Sequence, residues 1–450
     1  MARDEPYDLV ICGGELVTDE RREMTDIAVR GGRIAALGDL RRARTQATLD
    51  AKGLSLLPGA IDSQVHFREP GAPQKEDLES GSLAAVMGGI TAVFEMPNTK
   101  PPTTNADALA DKLRRAAGRM HCDYAFYVGA DATNAKVLGT LEWAAGVCGV
   151  KVFMGSSTGS LLVATDAQLE EVLRATKRRA AFHAEDEARL VARRDHRRAG
   201  DVLSHVIWRD AESAAKATRR LVRMARRCRH PAHVLHVSTA EEMDLLADGK
   251  PLISVETTPQ HLTLAAPDAY ERWGSLAQMN PPIRDRSHQE ALWRGVQKGV
   301  VDVIGSDHAP HSRDEKSAAY PDSPSGMPGV QTLLPVMLTH VAAGRLSLER
   351  LVALTSANVV RLFGLRGKGL LQPGWQADVT FVDTRARYEL TESWLKSRCG
   401  WSPFVGMQLT GRVCGTMIRG ERIMWEDELL APHRGAALEF TSGERGEAAP

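Results

Sequence analysis

Eight short apolar runs, separated by amphipathic helical windows, constrain this chain more than any other feature. They read L-P-G-A-I-D-S-Q-V-H (57–66), I-T-A-V-F-E-M (90–96), Y-A-F-Y-V-G (124–129), V-K-V-F-M (150–154), A-A-F-H-A (180–184), H-V-L-H-V (233–237), I-S-V-E-T-T (253–258) and V-D-V-I-G-S-D (301–307). Between them lie helical patterns such as A-D-A-L-A-D-K-L-R-R-A-A (106–117) and S-A-A-K-A-T-R-R-L-V-R-M-A (213–225). A helix between two strands carries the chain back, so successive strands pair in parallel. Eight such units predict a (β/α)8 TIM-like barrel of the α/β class.

The two ends have another rhythm. D-L-V-I-C-G-G-E-L-V (8–17) and D-I-A-V-R-G-G-R-I-A-A-L-G (26–38) alternate apolar and polar residues around glycine turns, and G-T-M-I-R-G-E-R-I-M-W (415–425) repeats that pattern near the other end. A-V-R-G-G-R-I and M-I-R-G-E-R-I both read as strand, tight turn, strand. The expectation is a small β-sandwich built from residues 1–56 and 371–440, with the barrel (57–370) inserted between them. The tail T-S-G-E-R-G-E-A-A-P (441–450) is small and polar and is expected to be disordered.

Lys+Arg and Asp+Glu both number 57, so bulk charge gives no reason to expect nucleic acid or an anionic membrane as partner. The basic run A-R-R-C-R-H (225–230) reads as the solvated face of a helix. Cysteines stand at 12, 122, 148, 228, 399 and 414 with no C-x-x-C pair, which excludes a zinc-knuckle or redox spacing. No run of 18 or more apolar residues exists and the N-terminus is polar, so a cytoplasmic protein is expected.

In a barrel of this kind chemistry sits where strands meet their following loops. Those positions hold His66 and Arg68, Asn98, Lys151, His183, His236, and the cluster Asp307, His308 and His311. Imidazole and carboxylate are the ligands of zinc and similar ions. A single strand histidine is usually structural; His183 and His236 gain weight by recurring at equivalent strand ends. His230 and His233 fit a structural role, since His233 lies too early in its strand. An apolar strand ending in H-x-H presents two ligands side by side, yet here the first position is Gln64. Lys151, set in V-K-V-F-M, is costly to bury charged. Either it loses its proton and takes up carbon dioxide as a metal-bridging carbamate, or it snorkels or pairs with an acid.

The pieces F-R-E-P-G (67–71), M-P-N-T (96–99), G-S-D-H-A-P-H (305–311) and K-G-L-L-Q-P-G-W-Q-A-D (368–378) resemble the cyclic amidohydrolases of the urease-related superfamily, and among them the dihydroorotases most closely. The resemblance implies a metal-dependent hydrolase, active in pyrimidine biosynthesis, that opens and closes a cyclic amide. It implies that His66, carboxylated Lys151, His183, His236 and Asp307 hold one or two zinc ions. Asp307 would move the proton between water and the leaving nitrogen. Arg68, Asn98 and His311 would grip a substrate carboxylate, and Asn280, in M-N-P-P-I-R, would read the ring amide. Further implied are a homo-oligomer, dimer or tetramer, and association with aspartate transcarbamoylase.

The alternatives are an allantoinase or dihydropyrimidinase-like cyclic amidase, and a non-catalytic homologue that supports aspartate transcarbamoylase. Gln64 in place of the family's histidine motivates the last. Because an amide oxygen is a poorer zinc ligand than imidazole, the ion beside His66 is expected to be the weaker and that held by Lys151, His183 and His236 the more secure.

Overall fold

The computed structural model describes residues 5–157, 159–431 and 434–441. Among them, eight parallel strands form one sheet in sequence order: β1 (Ala60–Val65), β2 (Ile90–Glu95), β3 (Asp123–Gly129), β4 (Val147–Phe153), β5 (Ala180–His183), β6 (Ala232–Val234), β7 (Ile253–Thr257) and β8 (Val303–Ile304). The sheet closes on itself just beyond β8. Val65 bridges His308 in parallel register, and the His66 backbone N–H donates to the His308 carbonyl at 2.7 Å.

These strands are buried on both faces, which is why their sequences run apolar without alternation. Inside the barrel Ile61, Phe94, Tyr127, Ala181 and Val303 pack together. Outside, Val93, Phe126, Val150 and Phe182 meet the helices. The helix Ala211–Cys228 shows how sequence sets these elements. Asp210 caps its start by accepting from the Ser213 N–H, Leu221, Met224 and Ala225 face inward, and Arg229 ends it in the left-handed conformation at φ 52°. The basic run at its end faces solvent, with Arg223 paired to Asp166 and Arg227 to Glu170.

The two ends of the chain meet as expected. Ser55–Pro58 pairs antiparallel with Val379–Glu389 and parallel with Glu15–Val17, within a sheet that also holds Gln408–Ile418 and Glu421–Trp425. A second sheet holds Arg33–Gly38, Asp26–Arg30, Tyr7–Cys12 and Thr45–Asp50, and Ile11, Ile27, Leu56, Val379, Phe381 and Met417 fill the space between the two. Both hairpin motifs make a two-residue left-handed turn, placed one residue earlier in the second motif than in the first. Gly31 and Gly32 have φ of 56° and 73°, and Arg419 and Gly420 have 48° and 77°, the left-handed turn that suits strand twist.

Two segments leave the terminal sheets for the barrel. The run 57–66 is two strands, because the chain leaves the terminal sheet at Pro58 and enters the barrel at Ala60. Residues 434–441 do not stay with the sandwich. Tyr124 donates to the Ala436 carbonyl and accepts from Leu438, and the Phe440 ring lies 5.8 Å from that of Phe94, so this segment seals the barrel floor beside Phe363 and Leu365. From residue 442 the expected tail lies outside the described residues.

A buried ionic cluster ties sandwich to barrel. Lys368 and Asp378, from the K-G-L-L-Q-P-G-W-Q-A-D motif, pair with each other, and Lys368 also lies 3.1 Å from Asp123 at the start of β3. Arg419, at the hairpin turn, donates to both Asp123 oxygens at 2.8 and 2.7 Å. Burial opposes the Lys368 charge, but Asp123 and Asp378 outweigh it and raise the pKa above the ordinary lysine value. Lys368→Met would leave Asp378 buried without a cation while Asp123 keeps Arg419, and a loss of about 3–5 kcal/mol in unfolding free energy is expected in urea titration.

Candidate active site

The sequence-predicted residues converge at the C-terminal ends of the strands. Gln64, His66, Arg68, Asn98, Lys151, His183, His236, Asn280 and Asp307 line one cavity together with Phe153, Ser157, Ala309, Ser325 and Gly326. His311 stands just behind the lining, with its Nε2 3.2 Å from Arg68 Nη2. Arg68, His236 and Asp307 have φ of 60°, 38° and 44°, in the left-handed region that side chains rarely adopt. Three such residues in one site indicate backbone strain held by the surrounding fold in order to aim side chains inward.

Two groups of donors flank Lys151. In the first, Asp307 Oδ1 accepts from Gln64 Nε2 at 2.8 Å and lies 3.3 Å from His66 Nε2. The other His66 nitrogen, Nδ1, is 2.8 Å from Asn98 Oδ1. In the second, His183 Nδ1 lies 3.1 Å from His236 Nε2. Lys151 is 1% exposed, and among the described residues no carboxylate lies within ion-pair range of it; its ammonium sits 4.5 Å from the Phe153 ring centre. Burial lowers its pKa to about 7. Its charge helps to depress His66, His183 and His236, so it lies within electrostatic reach of both groups. For each imidazole burial is the larger cause, and His66 falls to about 4, so the rings are neutral at pH 7.

This donor set fits a divalent metal, although among the described residues no group of three His, Cys, Asp or Glu already forms a ligand sphere. His236 Nδ1 and Gln64 Oε1 are buried without a hydrogen-bond partner. His183 Nε2 lies 2.9 Å from Glu185 Oε2 but is not aligned to donate to it. Neutral imidazoles and a lysine that readily sheds its proton are what a metal site needs before loading.

Arg68 is buried, and among the described residues it too lacks an acidic partner. Glu69 is taken by Arg119 at 2.8 Å and Glu95 by Lys112. Arg68 Nε donates instead to the Pro310 carbonyl at 3.1 Å, and burial lowers its pKa to about 10, so it is still charged at pH 7. Asn98 is engaged with His66, which makes it a support for that ring as much as a reader of substrate. Asn280 is held by His205, whose Nε2 is 2.9 Å from Asn280 Oδ1.

Sequence reasoning missed Glu185, Arg209, His205 and Lys316. Glu185 is fully buried beside His183 and pairs with Arg209 at 3.0 Å. Burial alone would raise its pKa, but Arg209 and His183 hold it at about 2. Its place two residues after His183, in F-H-A-E-D, was the available signal. His233 does not line the cavity: it is bonded to Ser254 at 2.8 Å and lies 3.2 Å from Glu256.

The sequence profile of the amidohydrolase family matches residues 55–423. The chain is 37% identical to a dihydroorotase of Methanosarcina acetivorans, over 94% of this chain and 93% of that protein. It is 35% identical to an allantoinase of Rubrobacter xylanophilus, over 93% and 94% respectively. Among solved structures, the L-hydantoinase (dihydropyrimidinase) of Arthrobacter aurescens superposes with a TM-score of 0.91 at 29% identity, covering 96% of this chain and 99% of that one.

Glu185→Gln would leave Arg209 buried without its counter-charge. A loss of about 3 kcal/mol in unfolding free energy is expected by urea titration, and Glu185→Gln combined with Arg209→Met should recover part of it.

Proposed function

We propose that this chain, which belongs to the amidohydrolase family, is a dihydroorotase that interconverts N-carbamoyl-L-aspartate and L-dihydroorotate with a divalent metal, zinc by the chemistry of its donors. One observation carries the choice of substrate: a buried, charged Arg68 in the cavity wall that no acid of the described protein neutralises. A guanidinium in that position is satisfied by a ligand carboxylate, which it grips through two parallel N–H bonds. Dihydroorotate carries such a carboxylate; uncharged cyclic amides do not. The similarity to dihydroorotases over nearly the whole chain supports the same reading.

His66, Lys151 as its carbamate, His183, His236 and Asp307 are the residues that would hold the metal. When bound, the metal supplies Lewis-acid polarisation of the ring carbonyl and lowers the pKa of water. The chain does the rest. Arg68, backed by His311, fixes the carboxylate and so the orientation of the ring. Asn280, in the cavity wall and held by His205, would read the ring amide. Gln64 and His66 both contact Asp307 Oδ1, which leaves Oδ2 to accept a proton and return it to the leaving nitrogen. Gln64 therefore contributes by orienting the proton-transfer group, in place of acting as a ligand. A homo-oligomer, association with aspartate transcarbamoylase and a cytoplasmic location belong to the same proposal; among the described residues no helix is long and apolar enough to cross a membrane.

A substrate panel tests the assignment. The protein is expected to close carbamoyl aspartate and open dihydroorotate, and Arg68→Ala should lower kcat/KM on these by roughly 100-fold, the effect of unpairing a buried charge. Activity on an uncharged ring such as dihydrouracil should change little. Faster turnover of allantoin or a hydantoin than of dihydroorotate by the unaltered protein would favour the reading as an allantoinase or dihydropyrimidinase. Lys151→Met is expected to purify with less than half the zinc of the unaltered protein by elemental analysis.

A further inference from the structure

Behind the cavity lies a second lysine that the chemistry above does not use. Lys316 ends a short helix, Arg313–Lys316, that follows the G-S-D-H-A-P-H segment. It is fully buried, and among the described residues no carboxylate is within ion-pair range of it. Its ammonium donates to three backbone carbonyls: Gln278 at 3.0 Å, Pro324 at 2.9 Å and Gly326 at 2.9 Å. A buried ammonium costs several kcal/mol unless its hydrogen bonds are all made. Here they are made to two separate loops.

Both loops end in the cavity wall. The first runs from Gln278 to Asn280; the second carries Ser325 and Gly326. The Gln278 side chain interlocks them further, donating to the Ser323 carbonyl and to Ser325 Oγ at 3.0 Å each and accepting from Ser323 Oγ at 2.7 Å. Gly326 has φ of 136°, and a Cβ there would stand 2.5 Å from the Ala309 carbonyl and 3.2 Å from His311 Cδ2. The second loop is therefore pressed, backbone first, against the segment that backs Arg68. Trp401 covers the arrangement: its Nε1 donates to the His311 carbonyl at 2.8 Å, and its ring centre lies 5.9 Å from the Lys316 ammonium.

We propose that Lys316 is a positioning residue for substrate recognition: by tying the Asn280 loop to the Ser325–Gly326 loop it sets the wall against which the ring is read. It acts through those loops and touches none of the groups assigned to proton transfer or metal holding, so it serves binding more than chemistry. The proposal rests on the dihydroorotase reading, and its test separates the two.

The unaltered protein must first turn over dihydroorotate; if it does not, the functional reading fails and Lys316 is not at issue. Given that activity, Lys316→Met is expected to raise KM roughly tenfold, the scale of a small misplacement of binding groups, while kcat stays within about threefold and zinc content is unchanged. Lys316→Gln, which keeps N–H donors for part of the cage, should show a smaller rise in KM. An unchanged KM in either folded variant, or a fall in kcat with KM preserved, overturns the proposal. Failure of both variants to fold also overturns it, because Lys316 then serves the fold as a whole.

Discussion

The closing seam of the barrel, where Val65 bridges His308, the His66 N–H donates to the His308 carbonyl and the Ser306 N–H donates to Asp62, is the constraint on which the site depends. It joins the end of the first barrel strand to the segment after the last. Without that seam Gln64 and His66 belong to one edge of an open sheet and Asp307 to the other, more than two hundred residues away in sequence. With it they share one carboxylate oxygen. Closure is thus more than a way to remove sheet edges. It creates the mixed first-and-last-strand geometry that no single βα unit could build, and the left-handed backbone at Arg68 and Asp307 marks where the two ends are bent inward to meet.

A second theme is cation burial without acids. Arg68, Lys151 and Lys316 lie at or just behind the mouth, and none pairs with a carboxylate of the described chain. Burial depresses all three pKa values. Each finds a different resolution: under the proposed function Arg68 takes a ligand anion and Lys151 becomes an anion itself, whereas Lys316 is satisfied by carbonyls. The apolar packing of the barrel and its floor offsets the stability withheld here, consistent with strain at functional sites being compensated by the scaffold.

The barrel and most of its site were legible in the sequence because a parallel barrel makes position along a strand equivalent to height in the site. His66, Lys151, His183, His236 and Asp307 could be found from strand ends alone, and His233 dismissed by its register. What was illegible depended on partners brought together by folding. That Arg68 has no acid for a partner follows from Lys112, on the helix Ala106–Ala116, and Arg119, in the turn after it, which claim Glu95 and Glu69. That Asn98 also supports the His66 ring, beside any part in holding substrate, shows only once the two are brought together. Lys316 carried no local signal, since its three acceptors come from loops on either side of it in the chain. The split of 57–66 falls at Pro58–Gly59, a breaker pair that passes as part of one strand because apolar residues stand on both sides of it.

The way the two ends share a sheet bears on how the chain is made. Ser55–Pro58 finds its antiparallel neighbour only in Val379–Glu389, roughly 300 residues downstream. At about 5–20 residues per second of synthesis, the early strands wait for tens of seconds with unsatisfied pairing edges. The last barrel floor residues, 434–441, arrive later still. The sheet drawn from residues 7–50 needs no later segment, and the barrel strands can pair in order as they emerge; the sheet shared by the two ends is the one that can be completed only last. Through that interval the nascent edge strands are the part of the molecule most exposed to pairing with another chain, so they are where a holdase chaperone would be of most use.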